Sequence, residues 1–330
     1  MTKLLSRHGG QTRYAVLVAA CILLIVLLKG SGSTSIEQSS TQQSPFPPNE
    51  ILSNIPDVGI HLAKIWVNNS FVYGHLIQDD DSFQVKDEQV RSLEPGLSAL
   101  WEHLLPACCK AGGYVIDVGS HFGYYALLGH SVGCKFIAFE PVPLFRSVLD
   151  FNLHLNGVNG TVYPYALGNE EKTVHIAVPT AGVLGTAHVT GDAGEEGVDV
   201  QQMRIDKLIP PSKMPSICML KVDVEGWEPQ IILSSKSLLE TKKVKYIMME
   251  FSPGYTQEGL EEMLKLLHSI GYSAIEVPWH LAKMGAPVGQ ITVDMVLEKG
   301  NEVDISTTEK RNEFIERITK VFNTNLWLTL

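Results

Sequence analysis

Ile217-Cys-Met-Leu-Lys-Val-Asp-Val-Glu-Gly-Trp-Glu228 starts as an apolar run and ends in charge. Ile217 to Leu220 have the composition of a central strand covered on both faces. Side chains alternate along a strand, so Lys221, Asp223 and Glu225 are expected on one side and Val222 and Val224 on the other. Charges at the end of a buried strand are costly unless they are paired or used. In open α/β sheets, ligands sit at the carboxyl ends of central strands. A structural ion pair, Lys221 with Asp223 or with a neighbouring strand's acid, would account for the charges. The sharper expectation is an active site.

Strands and helices alternate on either side of this stretch. A helix is expected over 88–105, ended by Pro106, then a strand over 114–118, a loop at 119–123 and a helix from Tyr124. A strand at 135–140, a helix at 144–155 and a strand at 161–167 follow. An insertion with short β-like pieces and many glycines runs from Asn169 to Met203. Strands at 217–224 and 245–251, a helix at 260–270 and two last strands at 273–277 and 291–297 complete the pattern. It predicts a doubly wound, mainly parallel α/β sheet with a reversed hairpin at its edge. A helix over 308–322, carrying Phe314, Ile315, Ile318, Val321 and Phe322 at helical spacing, is expected to dock on that domain.

The first loop sets the cofactor class. Asp117-Val-Gly119-Ser-His-Phe-Gly123 puts glycines at the strand-to-helix turn, where a ligand approaches the backbone. It is not Gly-x-Gly-x-x-Gly; the bulky His121 stands where a pyrophosphate would need bare backbone. That argues against a nicotinamide dinucleotide and its oxidoreductase chemistry. S-adenosylmethionine asks less of the loop, because it brings one carboxylate, suited to a helix N-terminus, and one ammonium, which Asp117 can take. Glu140, at the end of the second strand, is placed to accept both ribose hydroxyls.

The N-terminus is of another kind. Tyr14–Leu28 is an unbroken apolar run, preceded by Lys3, Arg7, His8 and Arg13 and closed by Lys29. It is long for a signal-peptide core and short for a full span of about 20 residues. No Ala-x-Ala site follows, and short spans suit thinner early secretory membranes, so an uncleaved signal anchor is expected over 14–29. The basic excess before it puts residues 1–13 in the cytosol and the rest in the lumen of the Golgi or endoplasmic reticulum, as a type II membrane protein. Residues 30–50, rich in Ser, Thr, Gln and Pro, read as a disordered stem. Residues 51–300 form the folded domain and 301–330 a helical extension.

Charge excludes one class of partner. The net charge is −10 overall, and beyond residue 29 it is −14, with 22 basic against 36 acidic residues. Nucleic-acid binding needs clustered basic residues, and none occurs. There is no Cys-x-x-Cys; Cys134 and Cys218 lie in apolar runs and read as buried small hydrophobes, while a disulfide of Cys108 or Cys109 stays unassigned. Asn68-Asn-Ser70 and Asn159-Gly-Thr161 are glycosylation acceptors in a lumenal setting.

Val115-Ile-Asp-Val-Gly-Ser-His-Phe-Gly-Tyr-Tyr125, Phe139-Glu-Pro141, Ala166-Leu-Gly168, Arg204-Ile-Asp206, Lys221 to Glu228 and Met249-Glu-Phe251 together resemble the FkbM family of methyltransferases. The resemblance covers roughly 105–299, in order. It implies a class I, Rossmann-like methyltransferase fold and S-adenosylmethionine-dependent O-methylation of hydroxyls, often on sugars or polyketides. It assigns the cofactor to Asp117, Gly119, Ser120, His121, Gly123, Glu140, Pro141 and Ala166. The chain departs at Ser120-His-Phe122, where the family more often has Ala, Asn and a small aliphatic, so His121 stands at the usual Asn contact.

Methyl transfer to a hydroxyl needs a base or a metal to help remove the proton. Asp223 or Glu225 is expected as base, with Lys221 holding one carboxylate ionised and Glu250 closing the adjacent strand. Alternatively these acids hold a divalent cation such as Mg²⁺ or Mn²⁺. Trp227 either stacks on a sugar or packs in the core, and His280, in the loop after the sixth strand, is a candidate for lining the acceptor pocket. A non-catalytic, membrane-tethered protein of the same fold is the competing reading; the intact acid cluster speaks against it.

Overall fold

The computed structural model describes residues 60–65, 71–76, 93–179, 184–192, 194–214, 216–277 and 292–330. The expected anchor and stem, and His280, lie outside these residues. Among the described residues no helix is long and apolar enough to cross a membrane.

The chain opens with β1 (Ile60–Ile65) and β2 (Phe71–Leu76), an antiparallel ribbon. Next come α1 (Pro95–Leu104), α2 (Pro106–Lys110), β3 (Tyr114–Val118), α3 (Tyr124–Ser131), β4 (Lys135–Phe139), α4 (Pro143–Asn156) and β5 (Thr161–Tyr163). A smaller sheet follows from β6 (Ala166–Leu167), β7 (Lys172–Ala177), β8 (His188–Thr190) and β9 (Gly197–Met203). Then come α5 (Ile205–Leu208), β10 (Ile217–Val222), α6 (Glu228–Ser234), α7 (Lys236–Leu239), β11 (Val244–Phe251) and α8 (Leu260–Ile270). The chain ends with β12 (Ser273–Val277), α9 (Val293–Lys299), β13 (Asn301–Val303), α10 (Thr308–Thr319) and β14 (Thr324–Thr329).

Eight strands make one mixed sheet in the order β13-β12-β14-β11-β10-β3-β4-β5. The five from β11 to β5 are parallel and the other three join antiparallel. Every residue of β10 is buried, as its apolar run requires of a strand with helices on both faces. One face packs Leu97, Leu100, Trp101, Leu128 and Leu149, and the other Ile231, Leu264, Leu267, Phe314 and Ile318. The ribbon is tied to α4 by side-chain amides: Asn152 pairs with both backbone groups of Gly74, and Asn156 with those of Val72.

Several expectations change. The strand expected over 161–167 divides: β5 stays in the main sheet, and β6 starts the smaller one. Pro106 ends α1 but also opens α2, where a proline costs no hydrogen bond. The last strand expected at 291–297 is instead the helix α9. Its β-branched residues suggested a strand, but the Thr292 side chain caps Met295 N–H and Val293 and Val296 share one buried side. The edge does carry a reversed pair, β12 antiparallel to β13, but β13 is Asn301–Val303 and not 291–297, and β14 lies between β12 and β11. Residues 301–330 are no appended helical extension; α10 docks on α8 through the buried Arg311, whose Nε donates to Glu261 at 2.8 Å, and β14 is built into the sheet.

All four cysteines in the described residues are bridged, Cys108 to Cys218 and Cys109 to Cys134. Cys134 and Cys218 are buried as expected, but as disulfides and not as free thiols. Short helix α2 presents adjacent cysteines to two different strands, at the base of β10 and just before β4.

Candidate active site

β3 and β10 run side by side with Asp117 opposite Lys221. The loop after β3 folds toward β4, where the Gly119 and Ser120 N–H groups both donate to the Phe139 carbonyl at 3.1 Å. Gly119 has φ of 73°, and a Cβ there would collide with the Asp223 carbonyl, so this position demands glycine twice over. His121 also has positive φ, 49°, and its N–H donates to Glu140 Oε2 at 2.7 Å. Val142 N–H donates to the other Glu140 oxygen at 2.8 Å. Burial pushes the Glu140 carboxyl up to about 8 despite these two bonds.

Lys221 ties the loop to the acids. Its Nζ donates to the Gly119 carbonyl at 2.8 Å and lies 3.3 Å from Asp223 Oδ2 and 3.5 Å from Asp117 Oδ1. Burial works against its charge, but Asp223, Asp117 and Glu94 outweigh that and hold the ammonium charged. Asp117 is fully buried, and burial raises it against the pull of Lys221.

β10 ends at Val222, two residues before the expected end, so strand alternation does not carry Glu225 into the site. A turn does. Asp223 N–H bonds the Val118 carbonyl at 3.2 Å, and Glu225 takes φ of 50°. Glu228 then reaches back, its Oε1 accepting from Gly226 N–H at 3.0 Å and Val224 N–H at 3.3 Å. Burial pushes Glu228 up to about 8 as well. Asp223, Glu225 and Glu250 each bring a carboxylate oxygen within 4.8 Å of the others. Glu250 accepts from Ser252 Oγ at 2.9 Å and Asn323 Nδ2 at 2.7 Å, and burial and its acidic neighbours raise it far above the usual range. Burial, then Glu225 with its charge and a hydrogen bond, raises the Tyr255 hydroxyl.

Gly119, His121, Glu140, Asp223 and Glu225 border a cavity that opens to solvent and spans about 620 Å³ with its open mouth included. Of the expected cofactor residues, Gly119, His121, Glu140, Pro141 and Ala166 line it, whereas Asp117, Ser120 and Gly123 do not. Ser120 Oγ donates to the Asp117 carbonyl, and Gly123 N–H closes the loop onto Ser120 at 2.7 Å. Asp117 therefore meets Lys221 and not the cavity. Among the expected catalytic residues, Asp223 and Glu225 line the cavity, while Lys221 and Glu250 stand behind it. Trp227 lines it too.

Sequence reasoning missed Glu228, Tyr255, Asn323 and the smaller sheet. Glu228 was visible within the motif, four residues beyond Val224. For Asn323, and for Ile176, Ala187, His188 and Val189, which line the cavity from the insertion, no local signal existed.

The family model of the methyltransferase FkbM domain matches residues 117–274. No curated protein matches the chain. Among solved structures, an S-adenosylmethionine-dependent methyltransferase from Agrobacterium tumefaciens is similar at 9% identity and a TM-score of 0.39, covering 81% of this chain and 69% of that one. An O-methyltransferase from Bacillus cereus in complex with S-adenosylhomocysteine matches at 9% identity and a TM-score of 0.36, covering 72% and 83%. Likeness this low adds nothing to the family match. The segment 117–274 is a methyltransferase FkbM domain, set in an α/β fold with a mixed sheet. The protein is an S-adenosylmethionine-dependent methyltransferase.

Proposed function

We propose that this protein methylates a hydroxyl of a small molecule or glycan in the lumen of the secretory pathway, held there by an anchor at 14–29. The observation that carries the reading is one cavity shared by the nucleoside-binding residues Gly119, His121 and Glu140 and the acids Asp223 and Glu225. Glu140 receives the ribose hydroxyls, and the loop from Gly119 to Gly123 and the start of α3 receive the amino-acid end. Asp223 and Glu225 orient the acceptor hydroxyl toward the sulfonium methyl. Positioning supplies most of the help, since the leaving group is already activated. Lys221 and Glu250 keep those acids in place from behind. For the compartment, support comes from the two disulfides, because such bridges persist where the surroundings are oxidising.

Calorimetry of the full chain with S-adenosylhomocysteine and with NAD⁺ tests the cofactor, and binding of only the first is expected. Non-reducing peptide mapping of protein from cells tests the compartment. Finding both bridges intact agrees with a lumenal domain, and four free thiols would remove it from the lumen.

A further inference from the structure

We infer, building on the methyl-transfer reading above, that His188 is the general base that takes the acceptor's hydroxyl proton. The insertion would then be part of the catalytic machinery and not merely a wall.

His188 stands at the start of β8, the edge strand of the smaller sheet, opposite Ala177 of β7. It lines the same cavity as Asp223 and Glu225. Its Nδ1 lies 3.0 Å from the Thr186 carbonyl. A carbonyl can only accept, so Nδ1 carries the proton of the neutral ring and Nε2 carries the lone pair. This is the arrangement a base needs, one nitrogen anchored and the other able to receive a proton. Glu195 Oε2, 4.0 Å from Nε2, is beyond hydrogen-bond distance, so it does not fix a proton on that nitrogen, and it is near enough to steady an imidazolium. The ring rests against Tyr255, centroids 5.1 Å apart, and Tyr255 in turn bonds Glu225.

The carboxylates are less suited to the task. Asp223 is engaged by Lys221 at 3.3 Å, and Glu225 by Tyr255. An ionised carboxylate is also a weak base toward an alcohol, whereas an imidazole works nearest neutral pH. In the step, the hydroxyl oxygen bonds to the methyl carbon as the carbon–sulfur bond breaks. The bond pair stays on sulfur, giving neutral S-adenosylhomocysteine, and the hydroxyl proton passes to His188 Nε2. The charged or titratable groups beside His188 are Glu195 from the β8–β9 connection and Tyr255 after β11, while His121, Glu140, Tyr165, Asp223 and Glu225 line the same cavity.

The test uses the full chain in three arms. S-adenosylhomocysteine should bind wild type and His188→Gln within about threefold of each other; if wild type fails to bind, the methyl-transfer reading itself falls. Nitrogen NMR of histidine-labelled protein, with His188 assigned by its absence in His188→Gln, should show the proton on Nδ1. A proton on Nε2 overturns the proposal, whatever the acceptor. Finally, transfer from tritiated S-adenosylmethionine to methyl α-mannoside, or to water where the glycoside is refused, should fall at least 100-fold in His188→Gln, as loss of a general base predicts. The acid limb of the rate profile should vanish in that variant and survive in Asp223→Asn. Activity within threefold of wild type, or an acid limb lost only in Asp223→Asn, would return the role to the carboxylate.

Discussion

The two sides of the cavity are held by different means. The cofactor side is mostly backbone. Gly119, Ser120 and His121 present N–H groups bonded to Phe139 and Glu140, all within one strand–loop–helix and the strand beside it. Two disulfides staple α2, just before β3, to the start of β10 and to the residue before β4. The acceptor side is made of side chains from separate places: Glu225 on a turn, Tyr255 after β11, Asn323 before β14 and His188 from the insertion. Where backbone builds a site, its requirements fall on consecutive residues. Where side chains build it, each comes from an element placed by the whole fold.

The largest effect should come from the staples. The Cys108–Cys218 bridge closes 110 residues, so replacing both by serine should cost roughly 4 to 5 kcal/mol by chain entropy. Chemical denaturation measures it, and a loss below about 1 kcal/mol would show that the sheet holds the cofactor side without help. Next, Gly119→Ala should weaken S-adenosylhomocysteine binding by 100-fold or more, because a Cβ meets the Asp223 carbonyl and φ is positive. Tyr255→Phe and Asn323→Ala should leave that affinity nearly unchanged while slowing transfer. Equal effects on binding from all three would erase the distinction between the two sides.

Glu228 joins the sides, since it fixes the turn that aims Glu225. Glu228→Ala leaves the Val224 and Gly226 N–H groups without their acceptor and should cost about 1–3 kcal/mol. Glu228→Gln keeps an oxygen for both and, because burial already favours the neutral carboxyl at pH 7, should stay close to wild type. If the amide proved as damaging as alanine, the role of Glu228 would be its charge and not its reach.

This contrast explains what could be read in advance. The parallel sheet and the cavity at its carboxyl edge were legible, because Ile217–Leu220 is a pure apolar run and Gly119 answers a local demand of the backbone. The end of β10 was not, because Glu225 departs from strand geometry through a left-handed turn that nothing in its side chain announces. β14 escaped notice although Leu326, Trp327 and Leu328 are apolar, since it enters the sheet between β11 and β12, out of chain order. The disulfides were open for a related reason: adjacent Cys108 and Cys109 diverge to partners 110 and 25 residues away. The smaller sheet looked like an interruption because few of its residues reach the cavity, Ile176 and the run Ala187 to Val189 among them.

Glu140 offers the finest test, because it works through pH on the cofactor side alone. Its carboxyl is raised to about 8 by burial, so near pH 7 the unliganded protein holds it mostly neutral, whereas the unfolded chain, near 4.5, holds it ionised. The folded state therefore binds the extra proton between those values, and this group makes stability fall as pH rises from about 4.5 to 8. Ribose hydroxyls donate to the ionised form, so affinity should run the other way. Below pH 8, each unit of acidification leaves about a tenth of the carboxylate, and S-adenosylhomocysteine affinity should drop up to tenfold per unit, with a plateau above 8. In Glu140→Gln the slope should vanish and affinity should sit near the low-pH value. Calorimetric titrations from pH 6 to 9 decide it, and a flat wild-type profile would mean that the two backbone donors, His121 and Val142, already keep Glu140 ionised before any ribose arrives.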